Sequence, residues 1–96
     1  MQFKVTSEED LKKLIKTLFG KKKVKVYLFG SRAKGKALPF SDYDLAFLSE
    51  GDISEELTFL RAILEESNFP YKVDVIDLNK AKYLKEIVLK EGKRWL

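Results

Sequence analysis

The most informative part of the chain reads GSRAKG at residues 30–35 and, after five further residues, SDYDL at residues 41–45. It follows an apolar run, VKVYLF at residues 24–29, so a glycine-flanked turn leaves a predicted strand. Backbone amides at such a turn bind phosphate oxygens well. Asp42 and Asp44 are separated by one residue, and in an extended strand their side chains project from the same face. Two like charges this close favour a bound cation, so the stretch predicts one site for phosphate, metal and carboxylates.

Length and composition restrict the kind of site. The chain has 96 residues, which predicts a single domain over residues 1–96. It contains no cysteine and no histidine, which excludes a disulfide framework, a thiolate metal site and a cysteine nucleophile. The remaining ligands are hard oxygen donors, which favour Mg²⁺ or Mn²⁺ over Zn²⁺.

The net charge of +4 is unevenly distributed along the chain. Residues 1–36 carry eleven Lys or Arg against three Asp or Glu, residues 37–79 carry two against ten, and residues 80–96 carry six against two. A nucleic-acid surface and an ordinary basic protein surface both stay open on this pattern. No segment has the apolar length of a signal peptide or a membrane-spanning helix, so we expect a soluble cytoplasmic protein with no membrane partner.

Hydrophobic periodicity predicts alternating helices and strands, which indicates a mixed α/β (α+β) fold. The first helix begins at Ser7, with Asp10 completing an approximate capping box, and ends at Gly20. The other predicted elements are strands at 24–29, 42–48 and 71–76 and helices at 53–68 and 81–91.

Alternation along the predicted strands separates apolar from acidic faces. Leu45 and Phe47 face opposite the two aspartates of their strand. In the third strand Val73 and Val75 alternate with Asp74, so Asp74 is predicted to point away from the core. Asp77 falls on the face opposite Asp74 and is predicted to be a turn or cap residue. In the last helix, the residues predicted to be buried are Leu84, Ile87 and Val88, and Trp95 and Leu96 follow as an apolar tail more typical of packing than of base stacking.

These residues resemble the minimal nucleotidyltransferases of the DNA polymerase beta superfamily. The signature of that family is a Gly-Ser turn, a second glycine, a variable gap and Ser-Asp-x-Asp-Leu, and it stands complete here over residues 30–45. The third family carboxylate lies on a later strand, and VDVIDL at 73–78 within the strand region 71–77 offers Asp74 as its counterpart. The resemblance covers residues 24–96 and implies a nucleotidyltransferase fold, with a small mixed β-sheet of three or more strands packed with about four helices.

The same resemblance implies metal-dependent nucleotidyl transfer. Asp42 and Asp44 would bridge two Mg²⁺ ions, with Mn²⁺ as an alternative, and Asp74 would ligate the second metal and orient or deprotonate the acceptor hydroxyl. The transferred group is a nucleoside monophosphate, AMP from ATP, and pyrophosphate leaves. The residues expected to bind the nucleotide are Gly30, Ser31, Arg32, Lys34, Gly35 and Ser41.

The acceptor and its partner also follow from the resemblance. Minimal members occur beside a small helical HEPN protein as toxin–antitoxin pairs, which implies transfer of AMP to a tyrosine of a HEPN toxin. Two alternatives stay open: an antitoxin that neutralises its partner by contact alone, and transfer to a small molecule or RNA end in the cleft of a homodimer.

A P-loop is a rival interpretation of the same turn. Residues 30–36 match the first seven positions of that motif and follow a predicted strand. Ala37 occupies the position of the hydroxyl that holds magnesium, and Pro39 would interrupt the helix that must follow. The turn is therefore read as part of the nucleotidyltransferase signature.

Overall fold

A computed structural model of the protein describes residues 5–20, 22–29, 42–67 and 69–96. The elements, in chain order, are α1 (Glu8–Phe19), β1 (Val24–Phe29), β2 (Tyr43–Ser49), α2 (Ser54–Glu66), β3 (Val73–Asp77), α3 (Lys82–Glu91) and β4 (Lys93–Arg94). The predicted mixed fold is confirmed, although the described residues form three helices where about four were expected. No helix in the described part of the chain is long and apolar enough to cross a membrane.

The first helix begins and ends where the sequence predicts. The Ser7 hydroxyl accepts a hydrogen bond from the Asp10 amide at 3.2 Å, which satisfies one of the free amides of the first turn. In a full capping box the Asp10 carboxylate would accept from the amide of the cap residue, Ser7. Here it accepts instead from the amide and hydroxyl of the preceding residue, Thr6, at 3.2 and 2.9 Å. Gly20 ends the helix with φ of 50°, a conformation that glycine adopts without strain.

Four strands form one mixed sheet in the order β3-β2-β1-β4. β1 pairs antiparallel with both β2 and β4, whereas β2 and β3 are parallel. A parallel pair requires a crossover between its strands, and α2 supplies it. The site strands β2 and β3 therefore begin at the same end of the sheet.

The sheet is covered on both faces, and each face has its own apolar cluster. Leu45 and Phe47 point to the face covered by α1 and α2, and both are fully buried. Ala46 points to the opposite face, where it packs with Leu78 and with Val88 of α3. This alternation confirms the predicted placement of Leu45 and Phe47 opposite Asp44.

The C-terminal segment differs from the prediction in two respects. Val88 is buried and Leu84 partly buried as expected, but Ile87 is 53% exposed because it lies about 100° around the helix from Val88. The segment after α3 is not a simple tail, since Trp95 and Leu96 both donate backbone hydrogen bonds to the Val26 carbonyl, at 2.8 and 3.1 Å. Their side chains pack against the larger apolar cluster.

Candidate active site

Asp44 and Asp74 lie side by side at the start of the two parallel strands. The register of β2 and β3 pairs them directly. Their neighbours Leu45 and Val75 point into the larger core, so both carboxylates project from the other face of the sheet. The structure thus brings together two of the three predicted carboxylates, which are 30 residues apart in the sequence.

The environment of Asp44 makes its charge unfavourable. The pKa of its carboxyl is raised above the usual 3.8, first by partial burial, then by the neighbouring charge of Asp74 and by hydrogen bonding between the two carboxyl groups. The charge of Asp42 raises it further, and Lys72 acts in the opposite direction. Asp42 precedes β2 and is exposed, and it acts on Asp44 through its charge.

The donor set fits a divalent cation. Two facing carboxylates supply hard oxygen ligands, and a cation would remove the repulsion that raises the pKa of Asp44. Among residues 5–20, 22–29, 42–67 and 69–96, no group of three or more His, Cys, Asp or Glu side chains is arranged to hold a metal ion. The described geometry therefore provides a pair, Asp44 with Asp74, rather than a complete ligand cage.

A cleft of about 640 Å³ opens beside the carboxylate pair and extends around the edge strand β3 towards α2. Besides Asp44 and Asp74, its lining includes Lys72 and Arg61. The Lys72 ammonium lies 3.9 Å from a carboxylate oxygen of Asp74. The Arg61 guanidinium donates a hydrogen bond to the Val75 carbonyl at 3.0 Å. Because Glu65 also lines the cleft, it combines three acidic and two basic side chains next to a partly apolar wall.

Tyr43, which separates Asp42 from Asp44, is anchored to both ends of the described chain. Its side chain is 4% exposed, and its hydroxyl donates to one carboxylate oxygen of Glu8 at 3.2 Å. The other oxygen of Glu8 accepts from the Trp95 indole N–H at 2.9 Å. We call this set, Glu8 with Tyr43 and Trp95, the terminal bridge. It holds the start of β2 against α1 and the C-terminal segment.

The predicted nucleotide-binding residues lie outside the described part of the chain. These are Gly30, Ser31, Arg32, Lys34, Gly35 and Ser41. Asp77 is within it, and its carboxylate accepts from the Asn79 amide at 2.9 Å just after β3, as predicted for a turn residue.

Three residues at or near the site, Lys72, Arg61 and Glu8, were not predicted from the sequence. Strand alternation could have found Lys72, because it lies two residues before Asp74 and therefore on the same face. Arg61 and Glu8 carry no such signal, since their contacts depend on how α2 and α1 pack on the sheet.

The chain resembles known proteins both in sequence and in structure. The family model described as "Polymerase beta, Nucleotidyltransferase" matches residues 12–95. The probable protein adenylyltransferase MntA of Haemophilus influenzae is 46% identical over 57 residues, which cover 54% of this chain and 46% of that protein. The chain thus spans less than half the length of this curated relative.

A solved structure described as the crystal structure of a toxin–antitoxin with AMP-PNP shares the fold. It superposes with a TM-score of 0.64 at 30% identity, over 93% of this chain and 73% of the other.

Proposed function

The chain belongs to the nucleotidyltransferase family described as Polymerase beta, and from this premise we propose that it transfers AMP from ATP to a tyrosine hydroxyl of a HEPN-type toxin. The family match confirms the resemblance and the nucleotidyltransferase class predicted from the sequence. The observation that carries the proposal is the direct pairing of Asp44 with Asp74 on the face of the sheet opposite the larger core, beside a cleft. The predicted single domain over residues 1–96 remains part of the proposal.

In the proposed site, carboxylates and the glycine-flanked turn have separate roles. Asp42, Asp44 and Asp74 would hold Mg²⁺ or Mn²⁺, and a divalent cation there would neutralise the triphosphate and the carboxylate pair. The turn at 30–35, with Ser31 and Arg32, would hold the triphosphate through backbone amides and charge. Lys34 and Ser41 complete the proposed nucleotide-binding set.

The chemical step follows from these positions. The tyrosine oxygen attacks the α-phosphorus of ATP and forms a new P–O bond, while the bond to the β-phosphate oxygen breaks and pyrophosphate leaves. The phenolic proton passes to a carboxylate oxygen of Asp74, which acts as general base. Asp74 suits this role because it lies on the edge strand and its side chain is 45% exposed to the cleft.

The proposed substrate and partner draw on the relatives. One relative is named as a protein adenylyltransferase, which supports AMP transfer to a protein. The structural neighbour is a toxin–antitoxin with AMP-PNP, which supports ATP as the donor and a toxin as the partner. The HEPN identity and the tyrosine acceptor come from the resemblance of the signature. We place the activity in the cytoplasm, where reducing conditions suit a chain without cysteine.

The test is adduct formation on a co-expressed partner. Asp44→Asn and Asp74→Asn each preserve side-chain shape and remove a charge. Asp77→Asn is the matched control, because Asp77 lies on the strand of Asp74 but, three residues on, belongs to the opposite face of the sheet. We expect mass spectrometry to find an AMP adduct on a partner tyrosine with the wild type and Asp77→Asn, and none with the other two variants. Titration of ATP and Mg²⁺ by calorimetry on the same samples should show metal-dependent binding in the wild type.

The opposite result has a definite meaning. If Asp44→Asn and Asp74→Asn still silence the partner and no adduct forms with any variant, the protein acts by contact and the proposed transfer is wrong. If an adduct forms on a nucleotide or small molecule without the partner, the proposed acceptor is wrong.

A further inference from the structure

Lys72 lies next to the carboxylate pair. It precedes Asp74 by two residues and lines the same cleft. Its ammonium lies 3.9 Å from Asp74, and its charge lowers the pKa of Asp44 against the causes that raise it. One lysine therefore acts on both carboxylates.

The other basic side chain of the cleft is engaged elsewhere. Of the described residues that line the cleft, two carry positive charge, Lys72 and Arg61. Arg61 donates to the Val75 carbonyl at the outer edge of β3, which directs its guanidinium to the backbone. Of these two basic side chains, Lys72 is therefore the one that balances the charge of Asp44 and Asp74.

We propose that Lys72 is a positioning residue that neutralises the Asp44–Asp74 pair before a divalent cation binds, and then turns to the triphosphate. This inference rests on the proposed function for the presence of the cation and the nucleotide. The Lys72 side chain is 72% exposed, so its ion pair with Asp74 is weak and the side chain is free to move. A long flexible lysine carries its charge over several ångströms by rotation about its side-chain bonds.

The proposal predicts effects of opposite sign on two ligands. A positive charge beside the pair repels a divalent cation, so its removal should tighten cation binding. The same charge attracts the triphosphate, so its removal should weaken nucleotide binding. A lysine that is merely part of the solvated surface would change neither.

The experiment measures the affinity of the full chain for Mn²⁺ alone, from the electron paramagnetic resonance signal of the free ion. The variants are Lys72→Gln, which removes the charge, and Lys72→Arg, which retains it. The matched control is Lys25→Gln, an exposed strand lysine that pairs with Leu48. Lys25 lies about 13 Å along β1 from the end that faces Asp44, which is beyond the screening length at physiological salt.

We expect Lys72→Gln to bind Mn²⁺ roughly three- to tenfold more tightly than the wild type, with a smaller difference at high salt. Lys72→Arg should stay within about twofold of the wild type, since the charge is retained. In the presence of Mg²⁺, ATP should bind roughly three- to tenfold more weakly to Lys72→Gln than to Lys25→Gln.

Failure of this inference is distinguishable from failure of the proposed function. If the wild type binds Mn²⁺ and Lys72→Gln binds it no more tightly than Lys25→Gln does, the role of Lys72 is wrong and the transferase proposal stands. If Mn²⁺ does not bind to the wild type, the role of Lys72 is wrong, whereas the transferase proposal is still judged by the AMP adduct. If the Mn²⁺ and ATP shifts appear but no AMP adduct forms with the wild type, only the transferase proposal is wrong.

Discussion

The terminal bridge makes a prediction about stability, because Glu8 joins three separate parts of the chain. Its carboxylate accepts hydrogen bonds from Trp95 at 2.9 Å and from Tyr43 at 3.2 Å. Lys12 adds an ion pair at 3.9 Å on the exposed side, which contributes little. We predict that Glu8→Ala loosens the start of β2 and the C-terminal segment together.

The magnitude follows from the two hydrogen bonds. A hydrogen bond to a charged group contributes about 1.5 to 3 kcal/mol when buried and less when solvent competes for the acceptor. The Glu8 side chain is 47% exposed, so we place the total for both bonds at about 1.5 kcal/mol of unfolding free energy, towards the low end of this scale. For a domain of this size such a loss lowers the melting temperature by roughly 6 to 12 °C.

The assay uses urea unfolding followed by tryptophan fluorescence. Trp95 is the single tryptophan of the chain, so its emission reports on the bridge directly. The matched control is Glu9→Ala, since Glu9 is exposed in the same first turn and makes the same favourable interaction with the helix dipole. We expect Glu8→Ala to unfold at lower urea than Glu9→Ala, with folded-state emission shifted to longer wavelength as the indole loses its carboxylate partner.

If Glu8→Ala and Glu9→Ala unfold at the same urea concentration and the folded-state emission does not change, Glu8 does not stabilise the fold through these hydrogen bonds. Glu8→Gln refines the test because it retains an acceptor oxygen. It should fall between the wild type and Glu8→Ala.

Two further predictions concern the packing of α3 and the charge of the carboxylate pair. Gly92→Ala would place a β-carbon 2.6 Å from the Val88 carbonyl oxygen and 3.2 Å from that of Leu28, so thermal unfolding should show a decrease of about 1 to 3 kcal/mol in the free energy of unfolding. Gly51→Ala is the control, because its β-carbon would have no neighbour within 4 Å and should cause no such decrease. Equal decreases in the two variants would contradict this prediction. Because the folded-state pKa of Asp44 is raised above 3.8, its contribution to stability is present below 3.8 and lost as the pH rises through the raised value. Asp44→Asn should therefore be more stable than the wild type at neutral pH, and the difference in unfolding free energy should disappear in acid. Urea unfolding from acid to neutral pH measures this difference. A difference that does not depend on pH would show that the raised pKa of Asp44 is not its cause.

Several features of the fold were predictable because they depend on local pattern. The cap at Ser7, the end of α1 at Gly20 and the alternation of Leu45 with Asp44 all follow from spacing along the chain. The third carboxylate, Asp74, was placed on the correct face for the same reason. Its role as a metal ligand and general base stays a prediction.

Other features could not be predicted because periodicity describes a helix or strand without its neighbours. Ile87 belongs to the apolar stripe of α3 by spacing, but the area of sheet available to the helix covers Val88 and leaves Ile87 largely exposed. Trp95 and Leu96 were predicted to form an apolar tail, but their backbone amides donate hydrogen bonds to the Val26 carbonyl of β1.

Residue type and short-range spacing were enough to predict the faces of the strands, the ends of α1, the restriction of metal ligands to oxygen donors and the family signature. Three contacts are visible only in the folded chain: Asp44 lies directly beside Asp74, the Lys72 ammonium lies 3.9 Å from Asp74, and Glu8 joins Tyr43 to Trp95. Strand register and helix docking are set by the packing of the whole core, so contacts between residues distant in the sequence are not encoded in any one segment.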